Sequence, residues 1–131
     1  MEGKFAERIV RMLGFAARAG RILFGTDTVC KSLGARGERE VRLVLLSKNA
    51  SDATKRKLGY KCEFYKKPLI VIDMDGEELG RLLGKSYAAM VIAVNDARFA
   101  DEIIKAESAY REEIASDQTE QVKGSFPQGN R

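Results

Sequence analysis

The chain has 131 residues, 44% hydrophobic and 32% charged, enough for one compact domain with its own core and too few for two. It has no histidine, so the usual general base, the commonest transition-metal ligand and every His-dependent triad are excluded. No apolar run approaches the ~20 residues of a membrane span and no signal-peptide pattern opens the chain, so a cytoplasmic location and no membrane association are expected.

Cys30 and Cys62 are far apart and form no CxxC motif, so neither a disulfide framework nor a zinc site is expected, and both read as buried or half-buried thiols. The formal net charge is +4, and residues 1–104 alone carry +5. The excess therefore belongs to the domain and not to the C-terminal stretch, and it favours polyanionic partners.

Phe5, Ile9, Met12, Leu13 and Ala16 recur at helical spacing and predict an amphipathic helix over 4–18, ended by Gly20. A short apolar piece, Ile22-Leu23-Phe24, leads into Gly25-Thr26-Asp27-Thr28, whose polar side chains are expected to cap a second helix carrying Val29, Cys30 and Leu33 inward. Gly34 and Gly37 stop that helix. Residues 41–46 (VRLVLL) read as a buried strand.

The polar loop Ser47-Lys48-Asn49 follows, with Ser51 or Asp52 capping a third helix that runs to about Lys61. Pro68 marks the start of a strand over 69–72. A fourth helix and a strand over 88–94 come next, and Asn95 or Asp96 caps a last helix from about Arg98. Alternating helices and strands imply an α/β fold, a three-layer α/β/α sandwich with a small mixed, mostly parallel sheet. Apolar periodicity fades near Ser108, so residues 1–107 read as the domain and 108–131 as a polar tail, whose end, 121–131 with Gly124, Pro127 and Gly129, reads as disordered.

Residues 71–86, VIDMDGEELGRLLGKS, contain two apparent phosphate motifs. A Walker A loop needs four residues between its glycines, but Gly80 and Gly84 enclose three, and Leu79, Leu82 and Leu83 place Gly84 at the end of a helix. A phosphatase reading of Asp73 and Asp75 meets Glu77 after Gly76, where such loops carry threonine or valine, and leaves no room for that mechanism's remaining motifs. The simpler reading makes Asp75 a helix cap, with Glu78 completing a capping box and Asp73 a strand-end carboxylate near solvent. No catalysis is expected.

Five segments in register carry a better match: GTDTVCKSL (25–33), VRLVLLSKNAS (41–51), KKPLIVI (66–72), ELGRLLGK (78–85) and AAMVIAV (88–94). Together they resemble the kink-turn-binding ribosomal protein superfamily of the L-seven-Ae type, most closely its bacterial YlxQ-like branch, over about residues 4–104. The resemblance implies an α/β/α sandwich that binds structured RNA, ribosomal or otherwise kinked, in a ribosome- or translation-associated role without cofactor or metal. It implies a contact surface of Gly25, Thr26, Asp27, Thr28 and Lys31, then Ser47, Lys48 and Asn49, then Gly84, Lys85, Ser86, Tyr87 and Ala88.

The chemistry of the first segment is independently suited to RNA. Glycine permits close approach, a helix N-terminus favours phosphate, and short polar side chains reach base edges. Archaeal-type members carry asparagine and glutamate where this chain has Asp27 and Thr28, and threonine is too short to replace a glutamate that accepts from guanine. The competing reading is a protein-interaction adapter that keeps the fold without specific RNA recognition. The basic run Lys55, Arg56, Lys57, Lys61, Lys66 and Lys67 reads as the solvated face of the third helix, and two of Tyr60, Phe64 and Tyr65 as core or rim residues.

Overall fold

Alternation along the central strand sets the layering. Of the residues Leu43–Ser47, Leu43 and Leu45 enter one apolar cluster while Val44 and Leu46 enter the other, as successive side chains of a strand point to opposite faces. The computed structural model describes residues 1–125, with side chains through Ser116. Its elements are α1 (Lys4–Arg18), β1 (Ile22–Phe24), α2 (Thr26–Ser32), a 3-10 turn (Gly37–Arg39), β2 (Leu43–Ser47), α3 (Asp52–Tyr65), β3 (Leu69–Ile72), α4 (Gly76–Leu82), β4 (Val91–Val94) and α5 (Ala97–Ser125).

Ile9 and Leu13 of α1, Leu79 of α4 and Ile103 of α5 pack with Leu43, Leu45, Ile92 and Val94 on one sheet face. Val29 of α2 and Leu58 and Cys62 of α3 pack with Val44, Leu46, Val91 and Ala93 on the other. A sheet buried on both sides needs apolar residues at every position, which is why β2 and β4 read as continuous apolar runs. The α/β/α sandwich with a mixed sheet is as expected.

The sheet order is β1-β4-β2-β3, with β1–β4 and β2–β4 antiparallel and only β2–β3 parallel. The mostly parallel sheet expected from the alternation of elements is therefore corrected. The cause is α4, seven residues and so only ~10 Å long. The chain then returns to the end from which β3 left, where the Ala89 N–H donates to the Gly76 carbonyl at 2.8 Å. From there β4 can only run back against its neighbours.

Three boundaries also differ. β2 begins at Leu43 and β4 at Val91, because Val41 and Ala89 are buried outside the ladder. α3 continues to Tyr65, where Lys66 (φ 59°) turns left-handed and its N–H donates to the Glu63 carbonyl. The division after residue 107 falls inside α5, and packing onto the domain continues past it. The buried Tyr110 donates to Asp73 Oδ2 at 3.0 Å, and Arg111 donates to the carbonyl of Val71 on edge strand β3 at 2.8 Å. The tail expectation for 126–131 lies outside the described residues.

The Tyr110 hydroxyl, followed by the charges of the N-terminal amine, Lys48 and Arg111, holds the Asp73 carboxyl below its ordinary value despite partial burial. A depressed carboxylate contributes stability above the unfolded-state pKa and loses it as pH falls through the folded value. Tyr110→Phe should therefore cost about 1 kcal/mol near neutral pH. Urea denaturation of the two proteins at neutral pH and again near pH ~3 should show the gap narrowing on the acid side.

Candidate nucleic-acid interface

Strand register gathers the candidate segments at one end of the sheet. Phe24 of β1 pairs with Ile92, and Ser47 of β2 pairs with Ile72 of β3. The Gly25 N–H donates to Val91 O at 2.9 Å and the Ser47 N–H to Met90 O at 3.0 Å. The C-terminal ends of β1, β2 and β3 thus meet the N-terminal end of β4.

Gly25 is the N-cap of α2, at φ 98° and ψ 147°, and no side chain accepts from the first-turn N–H groups. The expected side-chain caps are absent because Thr26, Asp27 and Thr28 lie inside the first turn instead of preceding it. A Cβ on Gly25 would meet open space, so glycine is required here by its backbone angles and not by crowding. Asp27, Thr28 and Lys31 are exposed and Thr26 is half-buried. Asp27 is favourably placed near the positive end of the helix.

The second well-formed segment follows α4. Gly84 (φ 78°) terminates that helix, and the Lys85 N–H donates to Gly80 O at 2.8 Å. Lys85 Nζ sits 4.7 Å from the centroid of the Phe24 ring, and the Tyr87 ring meets Phe24 edge-on at 6.3 Å. Phe24 therefore joins the 84–88 segment to the Gly25 turn. Ser86 and Tyr87 are exposed, Lys85 and Ala88 half-buried, and with Glu77 and Arg81 the four line a depression of about 240 Å³.

The middle segment has a different role. Ser47 is fully buried and its hydroxyl donates to Met90 Sδ at 3.1 Å, so its side chain faces the interior and not the expected contact surface. Asn49 Oδ1 accepts from the Gly76 N–H at 2.9 Å while Nδ2 donates to Glu77 Oε1 at 3.1 Å. Asn49 is thus the side-chain cap of α4, in place of the expected Asp75–Glu78 capping box; Asp75 itself makes no side-chain cap bond. Asn49→Ala should lower stability by about 1 kcal/mol, read from the thermal midpoint. Lys48 is exposed and lies 3.7 Å from the Asp73 carboxylate, a contact worth little in solvent.

Lys31 and Lys85 form no ion pair among the described residues, while Asp73 lies by Lys48 and Glu77 both accepts from Asn49 and lines the Lys85 depression. Among the described residues no group of three or more His, Cys, Asp or Glu could hold a metal ion. Burial, and then proximity to Cys30, pushes the Cys62 thiol up to about 11, which keeps it protonated.

Sequence reading missed Phe24, Gly80 and Arg81. A lone glycine inside the helical pattern of α4 is the signal that could have found Gly80, since it marks a close approach of another backbone. A Cβ there would lie 2.1 Å from the Tyr87 carbonyl oxygen. Nothing local flags Phe24, whose partners lie more than sixty residues away.

The model of the ribosomal protein L7Ae/L30e/S12e/Gadd45 family matches residues 7–104. The chain belongs to this family. A relative, the RNA-binding protein YlxQ of Bacillus subtilis (strain 168), is 40% identical over 93 residues, covering 71% of this chain and 88% of that protein. A solved structure of a protein of unknown function from Bacillus halodurans C is 37% identical, with TM-score 0.68, covering 76% of this chain and 95% of that one. The Giardia lamblia 15.5kD RNA binding protein superposes with TM-score 0.64 at 20% identity, covering 82% of this chain and 92% of its own, a likeness of fold. No helix among the described residues is long and apolar enough to cross a membrane.

Proposed function

We propose that this chain binds structured RNA without catalysis, through the Gly25–Lys31 turn and the Lys85–Ala88 segment, in a translation-associated role in the cytoplasm. The observation that carries the reading is the Phe24 junction, which sets an uncapped helix start beside Lys85 and Tyr87. It occurs in a chain 40% identical to an RNA-binding protein.

Lys31 and Lys85 supply phosphate contacts, and Asp27 and Thr28 supply short polar groups for base edges. Asp27 repels phosphate, so it is matched to base donors. Regular A-form RNA hides its major-groove edges, and the target is therefore a helix opened and kinked by an internal loop. Lys48 is a peripheral contact, and Ser47 and Asn49 act by holding the loop.

Photocrosslinking in cells, followed by sequencing of the bound RNA, tests this. Enrichment of sites around internal loops is expected. Recovery of a protein partner that survives nuclease treatment, with no RNA above background, would replace the RNA reading with the adapter one.

A further inference from the structure

The outer face of α3 departs from the sequence expectation. Tyr60 and Phe64, one helical turn apart, are 71% and 77% exposed, and only Tyr65, at 40%, behaves as a rim residue. The core role is already filled from the other side of the helix by Leu58 and Cys62, so neither ring is needed for packing. Two adjacent large aromatics in solvent lose the gain of burial unless something covers them.

One of the two rings, Phe64, is held in place through Tyr65. Tyr65 lies against Gly34, and Phe64 meets Tyr65 edge to face, with centroids 4.9 Å apart at 83°. Arg56, Lys57 and Lys61 lie within a helical turn of Tyr60 or Phe64 and Lys66 follows at the C-cap, and none of the four is in an ion pair among the described residues. Glu63 is the only acidic residue between Ala53 and Pro68.

We infer that this face of α3 is a second RNA surface, one that takes unpaired nucleotides by stacking bases on Tyr60 and Phe64 while the neighbouring cations meet the phosphates. The inference rests on the RNA reading above and extends it to single strands. A single strand offers a π-face and a negative charge with every nucleotide, the complement of rings set among unpaired cations. An acidic protein segment would satisfy the cations but leave the rings without a matched partner. The helix itself starts near the first site: α3 begins beside the Lys48 loop, where Lys55 Nζ donates to Lys48 O at 3.0 Å, and Tyr60 is ~12 Å along the helix from that start. RNA held at the sheet end could thus pass an unpaired flank along α3.

Two labelled probes separate the surfaces: a stem–internal loop–stem RNA without overhangs, and an oligouridine of about twelve nucleotides. Tyr60→Ala/Phe64→Ala should weaken oligouridine binding at least about tenfold and leave the stem RNA unchanged. Lys31→Ala/Lys85→Ala should do the reverse. Both changes in the α3 variant are at exposed side chains, and circular dichroism checks its fold.

Oligouridine that binds the α3 variant as it binds the wild type, or that fails to bind the wild type, overturns the inference. If the stem RNA still binds in that case, the sheet-end reading survives. If neither probe binds, the RNA reading falls as well. A dimer seen by sedimentation without RNA and lost in the same variant would assign the face to a second copy of the chain and would also overturn the inference.

Discussion

Gly80→Ala is expected to destabilise the protein by about 1–2 kcal/mol net, although alanine is the better helix former. A new Cβ would lie 2.1 Å from the Tyr87 carbonyl oxygen and 3.4 Å from the Cα of Ala88. Both are backbone atoms, so no side-chain rotation relieves the clash. Overpacking of this kind costs about 1–3 kcal/mol or more, which outweighs the ~1 kcal/mol that alanine gains over glycine inside a helix.

Gly59 in α3 is the matched control, because a Cβ there meets nothing within 4 Å. Gly59→Ala should stabilise by about 0.5–1 kcal/mol. In urea the midpoint of Gly80→Ala should fall by about 1 M and that of Gly59→Ala should rise slightly. Gly80→Ala also pushes the 84–88 segment from its seat beside Phe24, so its RNA affinity should fall even where it remains folded. Equal stabilisation of both variants would mean that Tyr87 does not pack on α4 as described.

Elements governed by local pattern were legible in the sequence. α1 spans residues 4–18 as its apolar spacing predicts, and β3 spans 69–72 behind Pro68. Asp96, one of the two expected caps of α5, accepts from the N–H groups of Arg98 and Phe99. Each depends on residues a few positions apart, which periodicity and capping chemistry report.

What depends on the return path of the chain was not legible. The direction of β4 follows from the short α4 and the Gly76–Ala89 hydrogen bond, and alternation of helix and strand carries no information about either. Asn49 looked like a loop residue free to meet RNA, yet its cap partner lies 27 positions on. Ser47 looked like the first loop residue but still pairs in the ladder, which turns its side chain inward. The exposure of Tyr60 and Phe64 was missed because aromatic residues are more often buried, and here Leu58 and Cys62 already supply the inward face of α3.

The Lys31→Ala/Lys85→Ala double variant is expected to lose about 100-fold in affinity for a stem–internal loop–stem RNA, roughly tenfold (~1.4 kcal/mol) for each charge-assisted interaction removed. Both lysines belong to the segments at the sheet end, and neither makes an ion pair among the described residues. The cost of the two changes to the fold is small: Lys85 gives up its seat over the Phe24 ring, about 0.5–1 kcal/mol, and Lys31 is exposed. Each neutralised phosphate releases counterion, so the slope of log affinity against log salt reports directly on the phosphates that the protein engages. Lys105→Ala, an exposed lysine beside Phe5 and Arg8 between α1 and α5, is the control for net charge. Titrations of the wild type, the double variant and the control at several salt concentrations should show the slope reduced in magnitude by about 1.4–1.8 in the double variant and little changed in the control. A slope equal to that of the wild type, with RNA still bound, would contradict the claim that the sheet end between Gly25 and Lys85 is the RNA interface.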